Sequence, residues 1–600
     1  MAIDILALPE LAAIVAQYLS PRDIAACKLT SRAFNNTFNP YLWKHLSVKN
    51  DKSKQLAIFE RARTSVFLCK NRQYIKTLSL EIFAAEYLQT LLLISVADKI
   101  TKLSTQAQGL AGTPPHPLFP SLKSLGIAVG AIDVHSHLSE KDAVLPDGSL
   151  KILLDRAPNI TSLTLYPEVL ESANFMARLK SGLPHLKTLI LKPAPKLSNK
   201  SFPFSPMLSA LPLLFAKPKL TTLELDFSLS YNREVSPVLI AKTMKELAEN
   251  SSAISAITSM VFPRTLYASH MAFVKPIFEF CLPQLQVLTV PSVGAQDLAR
   301  LVDVVPDHCP HVCELNLARL GSGSASRAMV EQVVRLIKAY KGLRAYRGPA
   351  FGAGEDRRAI THALLQHAST LESLVLMKEM KSCAFSSLFS SMSALRTLVI
   401  GDTLRVGVES AISVCWVPRR LQTLEMTIEV NDSTVEYVKS QYFDRNPELN
   451  PDVLTLTGVL DEKEFRYVAM RKLFKNIGEL TELEDLYIKH SPYGKWKFDK
   501  DWSLKVGLGF LDGLVKLRKL RLDYGVHHVG QAEIEFIYDH WPNLEEVYLH
   551  VESQDLSKCR RIWGWLKSRR PYLRIIYKTS STPPVPYDPM DQFFYFNIDA

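Results

Sequence analysis

Residues 308–313, His-Cys-Pro-His-Val-Cys, form the densest group of side chains that could bind a metal ion. Histidine nitrogens and cysteine thiolates are the usual ligands of structural zinc, but fingers and ribbons need a second Cys/His pair at a set spacing. No such pair follows, and Val312 begins a predicted strand. The sequence therefore predicts a helix-to-strand corner with buried cysteines, and neither a metal ion nor another cofactor.

The sequence gives no more support for a catalytic site than for a metal site. His135 and His137 lie near Asp133 without a nucleophile placed beside them, so they are interpreted as residues of a loop between repeats. The glycine-rich stretches 321–324 and 348–354 lack the lysine and the hydroxyl residue of a phosphate-binding loop. The sequence therefore predicts no catalytic residues and no enzymatic activity of its own.

An apolar-x-x-apolar-x-apolar pattern recurs from residue 75 almost to the end of the chain. Successive copies that begin at residues 160 and 186 are 26 residues apart, those at 257 and 285 are 28 apart, and those at 371 and 395 are 24 apart. Periods of this length are typical of leucine-rich repeats. Further clear copies begin at Ile75, Leu122, Leu220, Val312, Leu421, Leu483, Leu517 and Leu544.

Each copy predicts one short strand with three inward apolar residues, followed by a helix that returns the chain. Because no repeat can bury its apolar face alone, neighbouring repeats must stack. The predicted fold class is α/β: a small N-terminal helical domain over residues 1–46, a linker helix or cap over 47–74, and a solenoid over 75–578. Its parallel strands are expected on the concave face and its helices on the convex face, with a tail at 579–600.

Composition and charge exclude several classes of protein. Hydrophobic residues make up 47% of the chain, yet the apolar runs fall short of the ~20 residues that cross a bilayer. The N-terminus lacks the features of a signal peptide, and eight cysteines in 600 residues are too sparse for a disulfide framework. We therefore expect no membrane partner, and a location in the cytoplasm, the nucleus or both.

The net charge of +11 is partly concentrated between Lys558 and Lys578, where basic residues alternate with aromatic ones. Such a stretch could bind nucleic acid. However, Ile562, Trp565 and Leu566 have helical spacing, which favours a final repeat whose arginines form a solvated face. Nucleic acid is therefore not a predicted partner.

The first forty-odd residues precede the repeats and show a different pattern. Residues 8–19 predict a helix with proline in its first turn, residues 24–29 a second helix, residues 31–38 a third, and residues 39–43 a closing turn. This segment resembles the F-box motif, which combines a leucine-proline pair, an apolar helix, a proline-containing break, a second apolar helix and a late leucine-tryptophan pair. The residues that match are Leu8, Pro9, Leu11, Ile14, Leu19, Pro21, Ile24, Leu29, Leu42 and Trp43.

The resemblance implies that these ten residues bind the Skp adaptor of an SCF-type ubiquitin ligase with its cullin, while the repeats bind an unknown protein substrate. The chain is also similar to F-box proteins with leucine-rich repeats. In such a complex the F-box chain performs no bond chemistry and only brings its substrate close to the ligase. The alternative is a non-catalytic scaffold in which the F-box-like segment serves only as a cap for the first repeat.

Alternation along each strand predicts which side chains face away from the core. The side chains that face away from the core are small or apolar in the middle repeats but large and polar towards the C-terminus. The C-terminal ones predict a substrate-binding surface, and the alternative is an ordinary polar surface. The 62-residue step from Leu421 to Leu483 leaves a degenerate repeat and an insertion both open. The predicted substrate-binding residues are Tyr487, Lys489, Arg521, Asp523, Tyr548, His550 and Tyr577.

Overall fold

The computed structural model covers the whole chain and describes a large part of it. The chain divides into two compact units, the first formed by Met1–Val293 with Asp303–His311 and the second by Gly294–Val302 with Val312–Ala600. Each unit contains parallel strands accompanied by helices, so the predicted α/β class is confirmed. The described residues are 9–19, 21–48, 74–82, 123–129, 159–165, 167–171, 173–181, 183–192, 201–202, 204–215, 217–229, 237–250, 256–264, 277–278, 282–320, 326–349, 355–377, 383–401, 406–430, 432–445, 462–490, 503–523, 529–551 and 556–579.

Three helices open the first unit: α1 (Pro9–Tyr18), α2 (Pro21–Thr30) and α3 (Arg32–Lys44). The first two begin at proline, which lacks the N–H that a first helical turn leaves unpaired. The side chain of Ser31 caps α3 by accepting a hydrogen bond from the backbone N–H of Phe34 at 3.1 Å. The closing turn predicted at 39–43 is wrong, because α3 continues through Pro40 to Lys44.

The first strand, β1 (His45–Val48), follows α3 directly and pairs in parallel with β2 (Thr77–Ile82). The boundary predicted between residues 46 and 47 therefore falls inside a strand. The reason is that Leu46 and Val48 pair with Leu78 and Leu80, so β1 already belongs to the sheet. The rest of the predicted linker, residues 49–73, lies outside the described residues.

Short strands and helices alternate along the rest of both units. In chain order the remaining strands are β3 (Ser124–Val129), β4 (Ser162–Leu165), β5 (Thr188–Leu191), β6 (Ser201–Phe202), β7 (Thr222–Leu225), β8 (Ser228–Leu229), β9 (Ser259–Val261), β10 (Val287–Thr289), β11 (Glu314–Asn316), β12 (Ala345–Gly348), β13 (Ser373–Leu376), β14 (Thr397–Ile400), β15 (Val406–Gly407), β16 (Thr423–Glu429), β17 (Asp485–His490), β18 (Lys519–Asp523), β19 (Glu546–Val551) and β20 (Arg574–Thr579). The remaining helices are α4 (Ala173–Ser181), α5 (Phe204–Phe215), α6 (Pro237–Asn250), α7 (Ala295–Val302), α8 (Val305–His308), α9 (Arg327–Ala339), α10 (Glu355–Leu365), α11 (Cys383–Phe389), α12 (Val408–Ile412), α13 (Asp432–Arg445), α14 (Glu462–Gly478), α15 (Gln531–His540) and α16 (Leu556–Arg569), with short 3-10 turns at Pro167–Glu171 and Leu508–Leu511.

The middle apolar residues of the repeats align across the strands of each unit. In the first unit Leu163 pairs with Leu189, Leu189 with Leu223, and Leu223 with Met260, and all four are fully buried. In the second unit Leu374, Leu398 and Leu424 align in the same way. The predicted inward positions of these repeats are therefore confirmed, and their side chains form the core between sheet and helices.

One repeat of the second unit escaped the sequence pattern. The repeat of β12 has Leu343 just before the strand and Tyr346 and Gly348 within it at the three inward positions, and Tyr346 pairs with Leu315 and Leu374. Tyrosine and glycine do not match an aliphatic pattern, although Tyr346 is fully buried. The turn before this strand needs a left-handed backbone, which Gly342 supplies with φ +78°.

The described part of the long step after Leu421 is helical. Strand β16 pairs directly with β17, so the described residues contain no strand between them. Helices α13 and α14 occupy part of the added length. The loops predicted around residues 133–148 and 446–451 lie outside the described residues.

Two buried polar side chains join neighbouring repeats of the second unit. The His367 ring accepts a hydrogen bond from the backbone N–H of Leu343 at 3.3 Å, and its Nε2 lies 3.1 Å from the carbonyl oxygen of Ile337, which indicates the Nε2–H tautomer. Arg570 is only 6% exposed and donates to the carbonyl oxygens of Trp541 and Tyr538. The arginines of the final repeat were predicted to be solvated, and this prediction is wrong for Arg570 because its side chain is buried.

Candidate functional sites

The N-terminal helices enclose a small apolar core. Ala16, Ile24 and Phe38 are buried at its centre, and Leu19 and Leu42 pack against it. Ile24 was predicted to bind the adaptor, but its side chain is only 5% exposed. It therefore stabilises the three helices instead of offering a surface to a partner. Leu19 and Leu42 are half-buried and keep only part of their area for a partner.

Apolar side chains also remain on the outside of these helices. Ile14 on α1 is 50% exposed and Leu29 on α2 is 89% exposed, and Val15 beside Ile14 is 37% exposed. Apolar side chains left in water mark an interaction site when they form one patch, so these three are candidate contacts. Leu8, and the side chains of Pro9, Leu11, Pro21 and Trp43, lie outside the described residues.

A polar anchor holds α2 against α3. The ammonium group of Lys28 donates a hydrogen bond to the Asn39 side-chain oxygen at 2.7 Å, and partial burial lowers the pKa of Lys28. The rings of Phe34 and Phe38 lie 5.7 Å apart on the apolar side of the same helix. These contacts fix the two helices, so the exposed side chain of Leu29 is carried on a defined scaffold.

Comparison with protein-family models finds one match in this region, to the F-box-like family, over residues 8–49. These residues are an F-box-like domain. The match covers the three helices and β1, and it agrees with the segment that the sequence pattern singled out. Ile14 and Leu29 are therefore exposed apolar residues of the F-box-like domain.

No curated protein sequence matches the chain. Among the solved structures that match is a crystal structure of the Rad7 and Elc1 complex in yeast, at 13% sequence identity and a TM-score of 0.32, over 92% of this chain and 93% of that chain. A TM-score at this level supports no inference about the protein.

A row of outward-facing side chains crosses the sheet of the second unit. The strand register aligns Val399 with Glu425, Glu425 with Tyr487, Tyr487 with Arg521, and Arg521 with Tyr548. Alternation therefore places the predicted residues Tyr487, Arg521 and Tyr548 side by side, about 4.8 Å apart from strand to strand. Glu425, Tyr487, Arg521 and Tyr548 are together called the polar row below.

Tyr487 is the centre of the polar row. Its ring centroid lies 4.2 Å from Nζ of Lys489 and 5.5 Å from Cζ of Arg521, so two cations contact one aromatic ring. Lys489 is only 8% exposed, and its Nζ lies 2.7 Å from Oε1 of Glu425. The prediction of Lys489 as a surface contact is therefore wrong, because Lys489 belongs to an internal ion pair.

A charged neighbour modifies the electrostatics of the polar row. Burial raises the pKa of Asp485, while the positive charges of Arg521 and Lys519 oppose that rise. Arg521 is thus placed next to a carboxylate as well as to Tyr487. The side chains of Asp523 and His550 lie outside the described residues, so their predicted roles stay predictions.

Tyr577 does not face the same way as the polar row. The register pairs Tyr577 with buried Leu549 and pairs Ile576 with Tyr548. Its ring lies 5.9 Å from Cζ of Arg560 on α16, and burial and the Cys559 thiol raise its pKa. The prediction that Tyr577 belongs to the substrate surface is wrong, because the last strand is shifted by one residue relative to the pattern assumed.

Sequence reasoning missed Glu425 as a member of the polar row. Glu425 lies between the inward residues Leu424 and Met426, so strand alternation alone could have identified it. What alternation could not show is that Lys489 pairs with it across 64 residues of sequence. The polar row is therefore a connected group in which Arg521 and Tyr548 keep partly exposed surface.

The Cys/His corner leads from α8 into β11, and the predicted burial holds for Cys309 but is wrong for Cys313, which is only half-buried. Cys309 is fully buried, and burial raises its pKa to about 12, whereas His308 and His311 are exposed. Among the described residues no three His, Cys, Asp or Glu side chains gather as metal ligands. Residues 133–137, 321–324 and 350–354 lie outside that part of the chain. No helix in the described part combines the length and the apolar character that crossing a bilayer requires.

Proposed function

We propose that the protein is the substrate-recognition subunit of an SCF-type (Skp-cullin-F-box) E3 ubiquitin ligase. The observation that carries the proposal is the F-box-like domain at residues 8–49, whose exposed Ile14 and Leu29 offer apolar contacts to a Skp-type adaptor. The adaptor and the cullin would hold the chain beside a ubiquitin-loaded enzyme. The contribution of the chain would then be proximity, with the bond chemistry performed by other subunits.

The repeats that follow are assigned in this proposal to the leucine-rich-repeat class. The support is the spacing of 24 to 28 residues between successive copies together with the buried triplets, as in Leu186, Leu189 and Leu191. Stacked repeats present a long, regular row of outward side chains. Such a surface suits a protein substrate, and it would act where the ligase acts, in the cytoplasm, the nucleus or both.

The first test concerns the adaptor. Replacing both Ile14 and Leu29 by aspartate should weaken binding to a purified Skp-type adaptor by at least tenfold, measured by isothermal titration calorimetry. Burying one apolar side chain contributes about 1.5 to 3 kcal/mol, and about 1.4 kcal/mol corresponds to a factor of ten. Both residues are outside the helical core, so the circular dichroism spectrum should not change.

Val238→Asp supplies the matched control, because Val238 is 76% exposed on α6 of the same unit. Its adaptor affinity should equal that of the unchanged protein. If the double variant keeps full adaptor affinity while folded, Ile14 and Leu29 do not form the docking surface and the ligase proposal loses its structural basis.

A scaffold without ligase activity is the second candidate function. It is favoured by the direct passage from α3 into β1 and by the pairing of β1 with β2, which let the helical domain serve as the cap of the first repeats. A pull-down from native cell extract separates the two candidates. Recovery of a Skp-type adaptor and a cullin supports the ligase subunit, and their absence supports the scaffold.

The second test concerns the substrate surface, which we place at the polar row. Alanine at both Arg521 and Tyr548 should abolish substrate capture and leave adaptor binding intact. Large aromatic and arginine side chains dominate interfaces because they combine contact area with polar ends. The readout is the quantity of each co-purified protein, relative to the unchanged chain, by quantitative mass spectrometry.

Arg518 and Tyr572 provide a control of the same residue types. Both are exposed and both lie outside the polar row, so Arg518→Ala with Tyr572→Ala should leave capture unchanged. If the Arg521/Tyr548 variant captures the same proteins in the same amounts, the polar row is an ordinary sheet surface.

A further inference from the structure

A cationic cavity opens at the beginning of the strands of the first unit. Its volume is about 430 Å³. The described residues that line it include Lys76, Lys123, Lys187, Lys219 and His185, and none of the described lining residues is a carboxylate. Four lysines around one cavity of this size concentrate positive charge that the proposed ligase role does not use.

The pairing of neighbouring strands brings three of these lysines close together along one end of the sheet. Lys76, Lys123 and Lys187 each come one residue before a strand, and Thr161 holds the same position between Lys123 and Lys187. Backbone hydrogen bonds join these positions. The N–H of Lys123 donates to the carbonyl oxygen of Lys76 at 2.9 Å, the N–H of Thr161 to that of Lys123 at 2.8 Å, and the N–H of Lys187 to that of Thr161 at 2.7 Å. Neighbouring positions are therefore about 4.8 Å apart, and Lys76 and Lys187 about 14 Å.

The lysines are the groups free to bind a ligand. The Thr161 hydroxyl donates to the carbonyl oxygen of Lys123 at 3.1 Å, so it is already engaged within the sheet. Lys76, Lys123 and Lys187 are exposed and have no carboxylate partner among the described residues. Nζ of Lys219 lies 3.4 Å from Nδ1 of His185, which is also a cavity residue.

Like charges repel one another, so the ammonium groups around the cavity disfavour each other's close approach. An anion that reaches several of these lysines relieves that repulsion. Ammonium groups bind phosphate oxygens through charge-assisted hydrogen bonds. The four lysines carry more positive charge than one phosphate group, with about −1.5 to −2, can neutralise, which favours an anion with several linked phosphates.

We propose that this cavity binds a compact anion that carries several phosphate groups. Its volume lies in the range of small-molecule pockets, roughly 300 to 1,000 Å³. A nucleic-acid strand would need aromatic side chains for base stacking, and none of the described lining residues is aromatic. None of the described lining residues belongs to the polar row or to residues 8–49, and the proposal goes beyond the proposed ligase role.

The test uses the full-length protein and inorganic tripolyphosphate as the probe. Isothermal titration calorimetry should show one saturable site, with orthophosphate binding at least tenfold more weakly. Lys123→Gln with Lys187→Gln should weaken tripolyphosphate binding at least tenfold. These side chains are exposed, so the thermal unfolding curve without the probe should be unchanged. Failure of tripolyphosphate to saturate the unchanged protein overturns the proposal.

Lys242 and Lys245 supply the matched control. They are exposed on α6 of the same unit, where each lies near a glutamate one turn away, at 3.9 and 3.8 Å. Lys242→Gln with Lys245→Gln removes the same charge and should leave tripolyphosphate affinity unchanged. Equal weakening in both double variants would mean general charge attraction and would overturn the proposal.

A decaglutamate peptide distinguishes phosphate recognition from recognition of an acidic chain. It should bind at least tenfold more weakly than tripolyphosphate, and equal affinity would overturn the assignment to phosphate. Adaptor binding by the Lys123/Lys187 variant is measured in parallel and should be normal. A loss of phosphate binding with intact adaptor binding supports the cavity independently of the ligase proposal.

Discussion

Replacing Leu520 by alanine should destabilise the repeats around β18 by about 2 to 5 kcal/mol. Leu520 is 1% exposed at the middle inward position and pairs with Leu486 on one side and Val547 on the other, both fully buried. Truncation removes apolar contacts on both sides and leaves a cavity that a sheet held by two neighbours can only partly close. Leu374 and Leu398 occupy equivalent positions and should respond alike.

The measurement for Leu520→Ala is hydrogen exchange followed by mass spectrometry. Repeats interact mainly with their neighbours, so exchange should rise first in β17 to β19 and later elsewhere. Val515→Ala is the control, because Val515 is 48% exposed, and its effect should stay within about 0.5 kcal/mol. A uniform rise in exchange along the second unit would contradict this nearest-neighbour behaviour.

Replacing Arg570 by methionine should destabilise the C-terminal repeats by about 2 to 5 kcal/mol. The guanidinium group donates to the carbonyl oxygens of Tyr538 and Trp541 at the end of α15, and it lies 5.0 Å from the Tyr538 ring centroid. Methionine retains much of the apolar stem but offers no donor. Each buried carbonyl left without its donor costs about 1 to 3 kcal/mol.

The preceding residue is the matched control for this variant. Arg569 is exposed and lies 4.3 Å from the Trp565 ring centroid, so Arg569→Met should cost only about 0.5 to 1 kcal/mol. Arg570→Lys should fall between the two, since an ammonium group cannot reproduce the fork of donors. Chemical denaturation monitored by tryptophan fluorescence compares the three variants. Equal midpoints for Arg570→Met and Arg569→Met would show that Arg570 does not cap α15.

Short-range patterns determined much of the fold. The three inward residues of each repeat could be identified because strand alternation is a local property, and Leu163, Leu374 and Leu520 are all buried as predicted. The F-box-like segment was recognisable for the same reason, since its helices are short and contiguous. The closing turn at 39–43 was misjudged because Pro40 was interpreted as a break, whereas packing of Leu42 on the small core lets α3 continue.

Contacts between repeats depended on the tertiary structure. The pairing of Lys489 with Glu425, the burial of Arg570 and the contact of the Tyr577 ring with Arg560 all join residues that lie 17 to 64 positions apart. The four lysines of the cavity likewise come from separate repeats, each just before a different strand. Return segments vary in length, so the register that brings such residues together is set only when the strands pair. The sequence by itself determined which aliphatic side chains of the repeats enter the core, because strand alternation is local, and the tertiary structure decided which polar and aromatic side chains are buried and which residues meet.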